Sequence, residues 1–236
     1  GARHRPWPYC ERTASGKGSA MEATLVHVCR HGQVYNPDHV LYGRQPGFGL
    51  SDRGRQMADR LGEFFADLPI THLRVSPMQR AQETIAPVAA RHPDLELVID
   101  DRIIEAANTL EGQAFGRYNQ RLLLPRNLRH LYNPFRPSWG EPYRHIAERM
   151  RSAIVDAAAS AGEGGRAVLV SHELPIWMAR RDAEGRSLVH NPATRQAHLA
   201  SVTTFTVIDG RIVKVDYTEP AGDLVPPRKK LLRPGM

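Results

Sequence analysis

The 236-residue sequence predicts an α/β fold, a three-layer sandwich in which helices cover both faces of a mostly parallel central sheet, with an inserted cap and a C-terminal β-hairpin. Three observations predict it. Two apolar, β-branched runs at residues 24–30 and 166–170 read as strands buried on both faces, and each stops abruptly at a histidine, in Arg30-His31-Gly32 and Ser171-His172. Segments of helical periodicity alternate with the strand-like runs, as crossover connections between parallel strands require. Finally, two late runs at residues 202–208 and 211–217 are joined by Asp209-Gly210, a strong signal for a tight hairpin turn.

In chain order, the first strand delivers Arg30 and His31 to its carboxyl end, where an open α/β sheet forms its ligand crevice. Residues 33–50 hold Asn36-Pro37, Gly43, Pro46-Gly47 and Gly49 and read as a loop bordering that crevice. Ser51 caps a helix whose apolar positions Met57, Ala58, Leu61, Phe64 and Phe65 recur at helical spacing to about Leu68, and Pro69 ends it. A short strand at residues 72–75 leads to Ser76-Pro77, read as cap and first helical residue of a helix running to about Arg91, with Arg80 in its first turn. Residues 95–99 form a third strand, followed by a connection containing Glu105. Residues 113–140 interleave aromatics with arginines and read as a cap over the crevice, the alternative being a pair of surface helices with solvated arginines. Residues 141–161 form a long amphipathic helix ended by a Gly-rich turn, residues 166–170 the most strand-like run of the chain, and residues 174–183 a further helix.

Composition narrows the function classes. The formal charge of +7 belongs to the ends: residues 1–20 contribute +3 and residues 224–236 contribute +4, leaving 24 basic against 24 acidic residues between them. A nucleic-acid module carries its basic patch on the fold, so no nucleic-acid partner is expected. The two cysteines, Cys10 and Cys29, make no disulfide framework, and no apolar run reaches membrane-span length; a cytoplasmic protein without a membrane partner is expected. The 28 arginines against 4 lysines point to a GC-rich bacterial coding sequence. Residues 1–20 read as a flexible extension or a remnant of cloning, residues 21–220 as the domain, and residues 221–236 as a basic tail. His27, Cys29 and His31 alternate on one strand face, but no second cluster of ligands follows, so His27 and Cys29 are read as core and no metal site is expected.

A neutral imidazole is a good nucleophile toward phosphorus, and an adjacent guanidinium binds phosphate oxygens while disfavouring protonation of the ring. Arg30-His31-Gly32, Ser76-Pro77-Met-Gln-Arg80-Ala-Gln-Glu-Thr84, Glu105 before Glu111-Gly112, Gly140-Glu141-Pro142 and Ser171-His172 together resemble, in kind and order, the histidine phosphatase superfamily, the phosphoglycerate mutase-like proteins. The resemblance covers about residues 22–217. It implies that His31 is the nucleophile that forms a phosphohistidine, that Arg30, Arg80 and His172 bind the non-bridging oxygens, and that Glu105 protonates the leaving alcohol and then activates water. Asn36, one position short of the family's usual asparagine, is counted with the phosphate ligands, and His172 with the catalytic set. Glu111, Glu173 and Asp101 stay open as alternative acids.

The expected function is that of a metal-independent, cofactor-free phosphomonoester hydrolase of the histidine acid type, acting on a small phosphorylated metabolite. The alternatives are a phosphomutase of the same family and a non-catalytic module that binds a phosphorylated ligand. A connection from Glu105 to Gly112 one residue shorter than usual, and Glu173 where glycine is frequent, weigh against glycolytic mutase activity. A homodimer is left open.

Overall fold

The computed structural model describes residues 21–107 and 140–227. Six strands form one sheet: β1 (Thr24–Arg30), β2 (His72–Val75), β3 (Leu97–Ile99), β4 (Arg166–Ser171), β5 (Val202–Ile208) and β6 (Arg211–Thr218), in the spatial order β3-β2-β4-β1-β5-β6. β3, β2, β4 and β1 pair in parallel; β5 is antiparallel to β1, and β6 to β5. Among the described residues four helices flank the sheet, α1 (Asp52–Phe65), α2 (Gln79–Ala90), α3 (Tyr143–Ala161) and α4 (Glu173–Ala183). The expected three-layer α/β sandwich is therefore observed.

The central strands β1 and β4 are mostly apolar because both of their faces are covered. Along β1, Val26 and Val28 point into a core shared with Ile146, Met150 and Ile154 of α3 and Trp177 of α4. Cys29 points into the opposite core, with Met57, Leu61 and Phe65 of α1 and Ile85 of α2. β4 divides likewise, Ala167 and Leu169 to one side and Val168 and Val170 to the other, as the two-residue repeat of a strand requires. The β1–β4 register, Leu25↔Arg166 through Arg30↔Ser171, brings the two strands to an end side by side. His31 and His172 are thus the next residues on adjacent strands.

Several element ends differ from the sequence reading. α2 starts at Gln79 with Met78 as its cap, so Ser76 and Pro77 lie outside the helix; the Ser76 hydroxyl is engaged by His172 instead. β3 starts at Leu97, because the Leu95 amide closes a turn on the His92 carbonyl. α1 does carry the expected Ser51 cap, its Oγ accepting the Gly54 amide at 3.1 Å, and gives way at Phe65 to a turn closed from Leu68. In the β5–β6 hairpin Asp209 and Gly210 both adopt positive φ, 50° and 67°, the conformation of the expected tight turn. Residues 221–225, read as the start of a tail, continue the fold: Ala221 is buried, Leu224 and Val225 pack against the α1 side, and Asp223 pairs with Arg60 at 2.8 Å. All but the last residue of the cap expected at 113–140, and the termini at 1–20 and 228–236, lie outside the described residues. No described helix is long and apolar enough to cross a membrane.

The loop after β1 is fastened to α1 by an unusually close approach of two backbones. A Cβ on Gly32 would fall 2.6 Å from the Gly54 carbonyl oxygen, and one on Gly54 would fall 2.0 Å from the Gln33 carbonyl oxygen. Both contacts are with backbone, so a side chain fits only if the loop moves. Gly54→Ala is expected to lose about 1–3 kcal/mol, read as a lower urea midpoint at unchanged m. A midpoint equal to the parent's would show that the approach relaxes freely.

Candidate active site

Four chain segments meet at the carboxyl edge of the sheet. β1 supplies Arg30 and His31, the first turn of α2 supplies Arg80, the connection after β3 supplies Glu105, and the β4–α4 junction supplies His172 and Glu173. The His31 and His172 rings lie 5.2 Å apart at their centroids. Both histidines are buried, as is Arg80, while the Glu105 side chain keeps 19% of its surface.

The His31 ring is oriented by its own chain, its Nδ1 lying 2.8 Å from the Gly32 carbonyl oxygen. A carbonyl can only accept, so Nδ1 carries the proton and Nε2 keeps its lone pair. Burial, with Arg30 and Arg80 close by, holds the His31 pKa well below its usual value of 6.5, against the opposing Gly32 bond. The ring is therefore neutral at physiological pH. Gly32 is itself held by the Thr84 hydroxyl, which accepts its amide at 3.0 Å and donates to the Arg80 carbonyl at 2.7 Å.

His172 is neutral for the same leading reason, burial, reinforced by His31, Arg80 and Arg30. Its Nε2 lies 2.8 Å from Ser76 Oγ, which also accepts the Met78 amide at 3.4 Å. The Ser76 hydroxyl has a proton to give as well as lone pairs to accept; we assign it as the donor to Nε2 and place the His172 proton on Nδ1, the nitrogen that faces the Glu105 carboxyl. That buried nitrogen has no hydrogen-bond partner among the described residues and lies 3.7 Å from Glu105 Oε2. It is a donor awaiting an acceptor.

Arg30 donates to the Ala197 carbonyl at 2.8 Å and lies 3.4 Å from Glu173. Arg80 donates to the Gly43 carbonyl at 2.7 Å and sits over the Tyr42 ring at 4.8 Å. Burial raises the Glu105 pKa above its usual 4.5, although the Ala106 amide, which donates to Oε1 at 2.9 Å, and the two arginines pull it down. The neighbouring backbone is braced by Glu141, which binds Arg149 and Arg44, while Arg44 also donates to the Glu105 carbonyl at 2.7 Å.

Arg30, His31 and Glu105 line a cavity of about 530 Å³, whose walls include Tyr42, Tyr143, Glu173, His190 and Arg195. Of the residues named from sequence, Arg30, His31, Arg80, Glu105 and His172 are brought together here. Asn36 is not. Its amide donates to the Val40 carbonyl at 2.8 Å and its oxygen accepts the Val40 amide at 3.0 Å, so both ends of the side chain close its own loop. Among the alternative acids, Glu173 lies in the site as a counter-charge to Arg30, Asp101 is exposed away from it, and Glu111 lies outside the described residues. Sequence reasoning did not reach the roles of Ser76, Thr84 and Tyr42, nor His190 and Arg195, which sit in a loop with no motif to mark them.

His31, Glu105 and His172 each place one ligating atom within 4.8 Å of the others, a set that could hold a cation. The same cluster has Arg30 and Arg80 beside it and His31 Nδ1 engaged by Gly32, a field that suits an anion better. His27 and Cys29 are core residues, as read: His27 Nδ1 lies 2.8 Å from Thr204 Oγ1, and burial, aided by Arg166, lowers its pKa to about 3. Burial likewise pushes the Cys29 thiol up.

Comparison with known proteins gives the family and the fold. The chain is 48% identical over 200 residues to protein Rv0525 of Mycobacterium tuberculosis, spanning 85% of this chain and 98% of that one. It is 29% identical over 167 residues to the probable phosphoglycerate mutase GpmB of Erwinia tasmaniensis, spanning 64% and 70% of the two chains. Among solved structures, YhfR of Bacillus stearothermophilus superposes with a TM-score of 0.66 at 24% identity, covering 80% of this chain and 94% of that one. The mycobacterial glucosyl-3-phosphoglycerate phosphatase Rv2419c gives 0.66 at 21% identity, covering 84% and 98%. Residues 26–220 match the family model that describes the histidine phosphatase superfamily, branch 1, a span running from β1 to the turn after β6 and taking in every element that carries the two histidines, so the chain belongs to that superfamily.

Proposed function

We propose that this protein hydrolyses phosphomonoesters through a phosphohistidine formed on His31, with no metal ion taking part. The observation that carries the reading is the opposite displacement of two facing groups: His31 is held neutral with Nε2 available, while Glu105 is held toward its protonated form. Such a pair of titrations is what an acid and a nucleophile working together need.

In the first step Nε2 of His31 bonds to phosphorus as the ester P–O bond breaks, and the departing alkoxide takes the Glu105 proton. In the second, Glu105, now a carboxylate, removes a proton from water as that water attacks phosphorus; the P–N bond breaks and its electron pair returns to the ring. Arg30, Arg80 and the unpartnered His172 N–H supply fixed positive charge and hydrogen bonds to the phosphoryl oxygens, the task that metal ions perform in other phosphoryl transfers.

The test is hydrolysis of an alkyl phosphate, read as released inorganic phosphate, in excess EDTA as a function of pH. Activity is expected to survive chelation and to follow a bell. Lowering the pH protonates His31 and removes the nucleophile, so the acid edge lies well below 6.5; raising the pH ionises Glu105 and removes the donor, so the basic edge lies above 4.5. Activity abolished by EDTA and restored by a divalent cation would overturn the metal-free mechanism. Transfer to an added alcohol that outpaces hydrolysis would identify a mutase, and phosphate binding without turnover would identify a binding module.

A further inference from the structure

The cavity over His31 contains a second cation that the phosphoryl chemistry does not use. Among its lining charges, Arg30 is balanced by Glu173 at 3.4 Å, and Glu141 is taken up by Arg44 at 3.3 Å and Arg149 at 2.8 Å. Arg195 also lines it, half-buried, and no described carboxylate lies within ion-pair distance of its guanidinium. The only hydrogen bond of its side chain to a described group runs from Nε to His190 Nε2, at 2.9 Å.

That bond is part of a built support. His190 Nδ1 lies 2.8 Å from the Leu188 carbonyl, so Nδ1 carries the proton and Nε2 must accept from Arg195. The ring is wedged between Tyr143, 5.5 Å away, and Trp177, 6.3 Å away. Arg195 itself follows a short turn at Pro192–Thr194, which the Asn191 side chain caps by accepting the Ala193 amide at 3.0 Å. A guanidinium tethered by Nε beside this capped turn keeps its two terminal nitrogens for a partner, and their fork matches two oxygens of one anionic group.

We propose that Arg195, positioned by His190, is a second anion subsite, so that the preferred substrates are phosphomonoesters whose organic part carries another anionic group, a carboxylate or a terminal phosphate. This rests on the reading above for what occupies the His31 end. The test is binding, which needs no turnover. Calorimetry on the His31→Ala protein compares three series of equal chain length: alkyl phosphates, ω-phosphooxy carboxylates and α,ω-diol bisphosphates. One doubly anionic series is expected to bind about tenfold or more tighter than the alkyl phosphates at its best length, as a charge-assisted hydrogen bond implies, and which series it is identifies the anion.

Adding Arg195→Met is expected to bring that ratio close to one, and Arg195→Lys, which keeps charge without the fork, to leave it in between. His190→Phe should lower the ratio and His190→Gln, which offers an acceptor, restore it. An advantage that is absent in the parent, or that persists in Arg195→Met, overturns the subsite; full retention in His190→Phe overturns the positioning role. If the advantage appears while p-nitrophenyl phosphate is not hydrolysed by the wild type, the subsite stands and the phosphatase reading falls.

Discussion

Replacing His31 by alanine is expected to lower phosphomonoester hydrolysis by about ten-thousandfold or more, the scale seen when a covalent nucleophile is removed. No other described side chain can take its place. His172, the one ring close enough, directs Nε2 to Ser76 and keeps a proton on Nδ1, so it has no lone pair to offer phosphorus. The variant should still fold, because the His31 ring bonds only its own chain neighbour while the backbone on either side stays anchored, its amide to Ser171 and its carbonyl to Ala200. The second measurement is covalent. Wild type exposed to radiolabelled substrate and quenched in alkali should retain label that acid releases, the signature of a phosphoramidate, and His31→Ala should retain none. Label remaining in the variant would move the nucleophile elsewhere. Turnover surviving at more than a few per cent would show that water attacks phosphorus directly.

Much of this site was legible in the sequence because its parts sit at abrupt ends of regular elements. A strand buried on both faces cannot hide in composition, so β1 and β4 declared themselves, and the residues that terminate them were candidates for the crevice. Register was not legible: only the pairing of Arg30 with Ser171 brings the two histidines into contact. Ser76 shows why local rules fail at such a place. Ser-Pro ahead of an apolar-periodic stretch satisfies every preference for a helix start, yet the hydroxyl belongs to a histidine 96 residues away. Asn36 erred in the other direction, since its position in a family pattern suggested a ligand while a turn of its own loop, closed on Val40, satisfied both ends of its amide. Arg195 and His190 left no trace because their relation is a single hydrogen bond in a loop, and spacing there follows no period.

Glu105→Gln separates the two chemical steps, and its effect should depend on the leaving group. With an alkyl phosphate, whose alkoxide cannot depart unprotonated, turnover is expected to fall by about a hundred- to ten-thousandfold. With p-nitrophenyl phosphate the nitrophenolate leaves without a proton, so formation of the phosphohistidine should be much less affected. Breakdown should still slow, because water has lost its base. The variant should therefore release one equivalent of nitrophenol per site in a burst and then stall with label on the protein. Glutamine keeps the carbonyl that accepts the Ala106 amide, so the loop after β3 has no reason to move. The basic limb of the pH profile should also disappear, since the group whose ionisation defines it is gone, while the acid limb set by His31 remains. An equal loss on both substrates, with no burst, would show that Glu105 acts on the site's shape or field instead of on the proton. The donor would then be sought at Glu173, which also lines the cavity and, unlike Glu141, is not held by Arg149 and Arg44, and Glu173→Gln should reproduce the leaving-group dependence that Glu105→Gln lacked. If instead Glu105 is the acid, Glu173→Gln removes only the counter-charge 3.4 Å from Arg30 and should slow both substrates alike.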